Sequence, residues 1–508
     1  MENLNSVLHG FVVAAQPLNL MYVFFGAILG TVFGMLPGIG AATTIALLLP
    51  VTFSLDPLGS LIMLSGIYYG AQYGSSASAI LLNTPGTASA AMTTVDGYPM
   101  ARKGRGGAAL AISAVASFLG GTLSVVGLTV LAVPLSKFAL QFGPPEYFML
   151  MLFSLTAVAA FTGGSIAKGL ISALAGLMLA TVGVDMQTNV SRFTMGVPDF
   201  ENGISFLIVV VGLFAVAEVF FNVERWFVGE LDPIPISGRL WFTREEWRRS
   251  RGAIGRGGVI GFIVGVLPGT GGVIATVLAY AAEKRLSRHP EQFGHGAIES
   301  VAATEAANNS SSTGAFVPLL TLGIPGSGIA AVLLGAFVLF GIQPGPLLFR
   351  TQPDLVWGLV DSMYLGNIIL LILNLPLIGL FVRILYVPPG LLLALILAVA
   401  SVGIYTTNNS VVDLYLLLGF GVLGYGFRKA DIPIPPLILG IVLGPMLEQT
   451  LRQAMIISNG DPTFLASSPI SAALAALTAI SIGFSVIGPL RSRMKRRKQL
   501  QEAGEAVG

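Results

Sequence analysis

Apolar residues in this chain come in long blocks, and each block is of the length that crosses a bilayer as a helix, about 20 mainly apolar residues. Such blocks lie near 107–133, 145–162, 167–183 and 204–223, and again near 353–381, 388–403, 411–426, 433–448 and 464–489. A single long polar stretch, Glu224 to Arg256, separates the two series. Four further apolar segments, 24–50, 57–99, 257–283 and 297–341, are interrupted by Pro-Gly pairs. Proline cannot continue a helix and glycine accepts left-handed dihedrals, so these are hairpins or broken helices rather than plain spans. The pattern predicts an all-α polytopic membrane protein with about 11–12 crossings.

Composition agrees with the pattern and removes several chemistries. Of 508 residues, 54% are hydrophobic and 10% charged, against about 25% charged in soluble proteins. There is no cysteine, and the three histidines, His9, His289 and His295, fall at polar edges, so thiolate clusters, haem pairs and most zinc sites cannot be assembled. None of the seven lysines follows a glycine, which excludes a phosphate-cradling GxxxxGK[ST] loop. No cofactor and no nucleic-acid partner are expected.

Charge sets the sides. Basic residues in short loops stay in the cytoplasm. The first cation is Arg102, and the chain ends on RSRMKRRK from Arg491. The N-terminus is therefore expected outside and the C-terminus inside, with Arg102–Arg105, Lys284–Arg288, Arg383, Arg428 and Lys429 on the inner face.

The two halves repeat. GTVFGMLPGIG at 30–40 aligns with GFIVGVLPGTG at 261–271 at an offset of 231, and TPGTASAA at 84–91 with IPGSGIAA at 324–331 at an offset of 240. The basic clusters beside one copy have no counterpart beside the other, so the repeats are expected to be inverted, the construction of many secondary transporters. The predicted organisation is a first repeat over 1–223 (hairpin 24–50, broken helix 57–99, scaffold 107–223), a cytoplasmic linker over 224–256, a second repeat over 257–490 (hairpin 257–283, broken helix 297–341, scaffold 353–490) and a cytoplasmic basic tail over 491–508.

Interrupted backbone at membrane depth is tolerated where protein or a water-lined cavity satisfies it. Four interruptions facing one another predict a site in which half-helix N-termini offer N–H groups to an anion. The substrate residues expected there are Pro37, Gly38, Asn83, Thr84, Pro85, Gly86, Thr87, Pro268, Gly269, Pro325, Gly326 and Ser327. Those expected to hold a coupling cation are Gly40, Ser75, Thr270, Gly271, Glu305, Asn308, Asn309 and Ser310, with sodium at the same tips as first candidate and a proton as second. The polar runs GSSAS at 74–78 and NNSSST at 308–313 are read as cavity lining. Glu218 and Asp413 are read as snorkelling to solvent, and Asp361 as a polar contact between helices in preference to a proton site. No Lys or Arg is expected at depth.

GMLPGIGAATTIALLLP, ILLNTPGTASAAMTTVDGYPMARKG, FGPPEYFML, GVLPGTGGVIATVLAYAAEK and NNSSSTGAFVPLLTLGIPGSGIAAVLLGAF resemble the large membrane (permease) subunit of the tripartite tricarboxylate transporter family, with a likeness running over about 18–490. The resemblance implies a bacterial inner-membrane importer of carboxylates, driven by a cation gradient. It also implies two partners, a small membrane subunit and a periplasmic solute-binding protein. At the level of fold, paired hairpins and broken helices are similar to carriers in which one domain slides as an elevator. The rival readings are a passive anion channel and, more remotely, an intramembrane enzyme. The sequence is compatible with a monomer and with a homodimer or higher assembly.

Overall fold

The computed structural model describes residues 2–36, 38–162, 165–185, 187–226 and 239–483. Pro37, residues 227–238 of the expected linker and the basic tail 491–508 lie outside the described residues. The described chain is almost wholly helical. Helix α1 (Glu2–Ala14) leads into α2 (Pro17–Met35), and the chain turns at 36–40 into α3 (Ala41–Thr52). Helix α4 (Pro57–Leu82) breaks at 83–87 and resumes through a 3-10 turn (Ala88–Ala90) as α5 (Ala91–Met100), which continues through a π-turn (Ala101–Arg105) into α6 (Gly106–Ala139). Then come α7 (Pro144–Phe161), α8 (Ile166–Ala180), an antiparallel hairpin of β1 (Gly183–Val184) and β2 (Ser191–Arg192), and α9 (Phe206–Val210), joined by a π-turn (Val211–Val216) to α10 (Ala217–Trp226).

The second half begins with α11 (Arg244–Val266) and α12 (Gly271–Leu286), followed by α13 (Ile298–Gly314), α14 (Phe316–Leu322) and, after a break at 323–327, α15 (Gly328–Leu339). Helices α16 (Leu348–Thr351), α17 (Pro353–Asn374), α18 (Ile378–Phe381), α19 (Pro389–Asn408), α20 (Val411–Lys429) and α21 (Pro435–Ile457) complete it, with a last apolar helix over Pro469–Gly483. Seven of the described helices are long and apolar enough to cross a membrane, and five shorter apolar ones accompany them, among them α3 and α15 of the interrupted segments.

Helix α11 starts inside the stretch read as linker. Thr243 and Glu246 form a capping box, the Thr243 N–H donating to Glu246 Oε2 at 2.6 Å and the Glu246 N–H to Thr243 Oγ1 at 3.3 Å, which satisfies two end donors reciprocally. Arg249 and Arg256 then pair with Glu299 and Glu283, each at 2.8 Å. The polar residues thereby extend the hairpin helix into a charged cuff.

One packing device recurs in both halves. Gly26, Gly30 and Gly34 of α2 press against the backbone carbonyls of Met63, Ile67 and Ala71 on α4. Gly257, Gly261 and Gly265 of α11 press in the same way against Ala303, Ala307 and Ser311 on α13. Only residues without a Cβ let two helix backbones approach so closely. The partners follow the sequence offsets of 231 and 240. The breaks correspond too: α4 ends on Asn83 at φ 56° and α14 on Gly323 at φ 71°, both left-handed C-caps, and the hairpin tips turn at Gly38 (φ 91°) and Gly269 (φ 79°). Each hairpin's returning limb packs on the other half's resumed helix, α3 on α15 and α12 on the Ala88–Ala90 turn.

The two halves are also tied end to cap. Buried Asp96 on α5 accepts N–H bonds from Gly294, Gly296 and Ala297 at 2.9, 2.8 and 2.9 Å, just ahead of α13.

At the far end of the scaffold the β-hairpin is pinned to α21. Arg192 Nη1 lies 2.8 Å from Glu448 Oε1, and Arg452 Nη2 lies 2.6 Å from Asp185 Oδ2. The Arg452 guanidinium, helped by the Gln187 N–H, holds the Asp185 carboxyl well below the usual carboxylate range. A depressed value means that the pairing stabilises the folded loop at all pH above the unfolded carboxylate's, about 4, and is lost as pH falls through the lower folded value. Hydrogen exchange of the peptide over 183–203, corrected for intrinsic rates, should stay flat from pH 7 to 5 and rise only under more acid conditions. A rise centred near pH 6 would contradict the pairing.

Candidate functional site

A cavity of about 470 Å³ opens where the first hairpin tip meets the first helix break. Its walls are Gly38 and Gly40–Thr43 from the tip and α3, Pro85–Ala88 from the break, Ile329 at the start of α15, and Leu213, Phe214, Ala217 and Glu218 from the π-turn and α10. Gly424 and Arg428 of α20 and Ile432, Ile434 and Pro435 complete them. The N-terminus of α3, a 12-residue helix capped by Gly40, borders this space, as does that of α15, whose Ser327 hydroxyl accepts the Ala330 N–H at 3.2 Å. Such ends present unpaired N–H groups and partial positive charge.

The charged wall is a product of packing that the apolar blocks do not reveal. The π-turn over Val211–Val216 inserts an extra residue per turn, a device frequent at functional sites, and it brings Leu213, Phe214, Ala217 and Glu218 onto one wall. Glycines let α20 close on it: Gly212 meets Phe420, Gly421 meets Val216, and Gly424 meets Leu213. Arg428 stands one turn beyond Gly424 on the same face. There it bonds the Glu218 carboxylate and lies 3.7 Å over the Phe221 ring. Asn222 Nδ2 donates to Glu218 Oε1 at 2.6 Å, and a side chain at Gly38 would stand 2.7 Å from that same oxygen.

Four expectations are corrected here. Glu218 does not snorkel; it is buried and paired. A cation does reach the cavity, because Arg428, read as an inner-edge residue, points along the α10 face instead of into solvent alone. Asp413 is likewise buried, accepting from Asn408 Nδ2 at 2.8 Å. Asp361 packs against Gly10 of α1 with both carboxylate oxygens lacking a hydrogen-bond partner, so it is no polar tie between helices.

Of the other expected substrate residues, Thr87 is held by Gln72, whose Oε1 lies 3.1 Å from its hydroxyl and 2.9 Å from that of Ser89. Ser75 Oγ is 3.0 Å from Thr87 Oγ1 and donates to the Gln72 carbonyl. Asn83 is exposed at its cap, and the Thr84 hydroxyl turns back to the Leu82 carbonyl at 3.3 Å. The second-half tips do not line this cavity. Gly269 abuts the Ala157–Val158 backbone, the Thr270 hydroxyl is turned onto the Val264 and Leu267 carbonyls, and Gly326 sits against Gly265 and Ala315. They also meet the first half at Tyr68, whose Oη lies 3.3 Å from Ser327 Oγ, and at Ser89, which stands against Gly272. Pro268, Gly271 and Pro325 are likewise absent from the wall.

The polar runs behave as helix interior. Ser75, Ser76, Ser78, Ser311, Ser312 and Thr313 bond carbonyls of their own helices, and Ser310 donates to Gly258 O at 2.6 Å across to α11. The expectation that they line a cavity fails because a hydroxyl three or four residues on can satisfy itself against the helix backbone. A second polar centre remains at Glu305, fully buried on α13, which accepts from Thr93 and, at 3.4 Å, from Ser117. Beside it the side-chain oxygens of Asn308 and Asn309 and the Tyr73 hydroxyl are buried without hydrogen-bond partners. A carboxylate with unsatisfied amide oxygens is the donor set of a small hard cation.

Another cavity, of about 490 Å³ beside α7 and α21, is lined by apolar side chains and Thr478, and offers an anion nothing.

Interrupted helices around a charged cavity, within a polytopic helical membrane protein, are the build of a solute carrier. The sequence profile of the "Tripartite tricarboxylate transporter TctA family" matches residues 20–439, and the chain belongs to that family of transporter permeases. Two relatives from Agrobacterium vitis are similar to it. The "Uncharacterized 52.8 kDa protein in TAR-I ttuC' 3'region" is 46% identical over 493 residues, covering 97% of this chain and 98% of the relative. The "Uncharacterized protein in TAR-II ttuC' 3'region" is 47% identical over 233 residues, 46% of this chain and 96% of the relative. No solved structure matches the chain.

Proposed function

We propose that this permease is a secondary active importer of organic carboxylates, of the tricarboxylate and dicarboxylate class. It takes substrate from a periplasmic binding protein, works beside a small membrane subunit in the bacterial inner membrane, and runs on a sodium or proton gradient. Its N-terminus is periplasmic and its C-terminus cytoplasmic. The observation that carries the reading is the cavity in which the Gly38–Thr43 tip, the Pro85–Thr87 break and Arg428 converge. Helix ends and a guanidinium attract carboxylates, and the Glu305 centre supplies a separate place for the driving cation, whose entry would offset the anion's charge. The matched offsets of the glycine contacts support two copies of one unit, and the charge bias supports their inversion.

Vesicles holding the permease with both partners should concentrate labelled citrate only under an imposed sodium or proton gradient. Equilibration without a gradient would favour the passive channel. In the same vesicles, single cysteines at Ser287 and Gly345 should react with an impermeant reagent from opposite faces, and equal labelling would discredit the inversion.

A further inference from the structure

Among the described residues, Arg428 is the one basic side chain and Glu218 the one acid on the cavity wall, and they are bonded to each other. The guanidinium has five N–H donors in a rigid fork. The contact to Glu218 uses Nη1, and the Arg428 side chain is 36% exposed while that of Glu218 is 6% exposed. The Phe221 ring lies against the guanidinium, and Asn222 Nδ2 holds Glu218 Oε1. The acid is thus anchored, while the cation keeps donors open to the cavity.

We infer that Arg428 receives a carboxylate of the substrate, and that Glu218 is a tethered competitor that occupies Arg428 in the empty cavity and yields to the incoming anion. The inference rests on the transporter reading above and names the group that gives it selectivity. One carboxylate can be met by the helix ends, so the guanidinium rewards a second or third. Displacement of Glu218 also keeps binding from becoming too tight, because the same acid returns to Arg428 as substrate leaves.

A pair that merely ties α10 to α20 makes a different forecast, since either substitution would then loosen the fold and neither would alter affinity in the folded fraction. The competitor makes forecasts of opposite sign. In nanodiscs holding the full chain with its small membrane subunit, titrations with citrate, succinate and acetate report affinity, and thermal unfolding reports the fold. Arg428→Gln should weaken citrate by about 10- to 100-fold, the size of a lost charge-assisted contact, succinate less and acetate least. Glu218→Gln should tighten citrate by about 3- to 10-fold, the weight of one exposed-to-partly buried charge interaction, while slowing uptake. Arg428→Lys keeps the charge but not the fork, so it should fold and still weaken citrate; it decides the matter if Arg428→Gln does not fold. Unchanged citrate affinity in the Arg428 variants, or weakening in Glu218→Gln, overturns the inference while leaving the transporter reading intact. A wild-type protein that binds none of the three acids and imports none sinks the transporter reading instead.

Discussion

Alanine at Gly86 is expected to abolish uptake and to lower thermal stability by about 3 kcal/mol or more, the upper range for overpacking against groups that cannot move aside. Gly86 stands at the first helix break with no room for a Cβ: the added carbon would overlap the Gly34 carbonyl and lie 3.1 Å from Ser75 Cβ. Backbone obstructs it on the α2 side, so relief requires prising the break from the hairpin, and the cavity wall is made of both. Gly326→Ala, facing the Gly265 carbonyl at 2.7 Å, should be damaging to a lesser degree. Gly426→Ala on α20 meets nothing within 4 Å and should be neutral or stabilising by up to about 1 kcal/mol, the helix-propensity gain. Melting curves of the three variants decide this; a stable, active Gly86→Ala protein would show that the break does not seat on α2.

Removing the Asp96 carboxylate should be nearly as costly. Asp96→Ala leaves the N–H groups of Gly294, Gly296 and Ala297 without their acceptor, the last of them buried and the other two partly so, and a buried orphan costs about 1–3 kcal/mol. We expect a loss of about 3 kcal/mol or more and a faster tryptic cut after the exposed Arg288, because the segment between α12 and α13 loses its anchor in the other half. Asp96→Asn keeps an oxygen in place but not the charge, and charge-assisted bonds are roughly twice as strong as neutral ones, so an intermediate loss is expected. Unchanged cleavage and melting in Asp96→Ala would contradict the cross-half cap.

What could be read in advance was whatever local covalent chemistry dictates. Pro37-Gly38, Pro85-Gly86, Pro268-Gly269 and Pro325-Gly326 announce interruptions because proline removes a helix donor while the glycine beside it accepts left-handed dihedrals. The glycines at 30, 34, 261 and 265 seat α2 on α4 and α11 on α13, and their four-residue spacing is a sequence signature of close helix packing. Arg428 and Glu218 were not legible, since their meeting depends on a π-turn and three glycine contacts between segments about two hundred residues apart. Gln72 and Asp96 were hidden likewise: one lies inside an apolar helix and the other in a short one, and only tertiary placement reveals the N–H and hydroxyl groups they satisfy. The serine runs misled because a hydroxyl bonded to its own helix reads, in sequence, the same as one facing water.

The interlocked glycines also constrain how this machine can move. Two rods toothed together every fourth residue cannot creep past one another; the next permitted register is a jump of about 6 Å along the axis. Each pair, α2 with α4 and α11 with α13, must therefore travel as one piece. Shape change in the transport cycle is left to the joints, the bends at 36–40 and 267–270 and the gaps at 83–87 and 323–327, of which the first bend and the first gap also wall the proposed solute cavity.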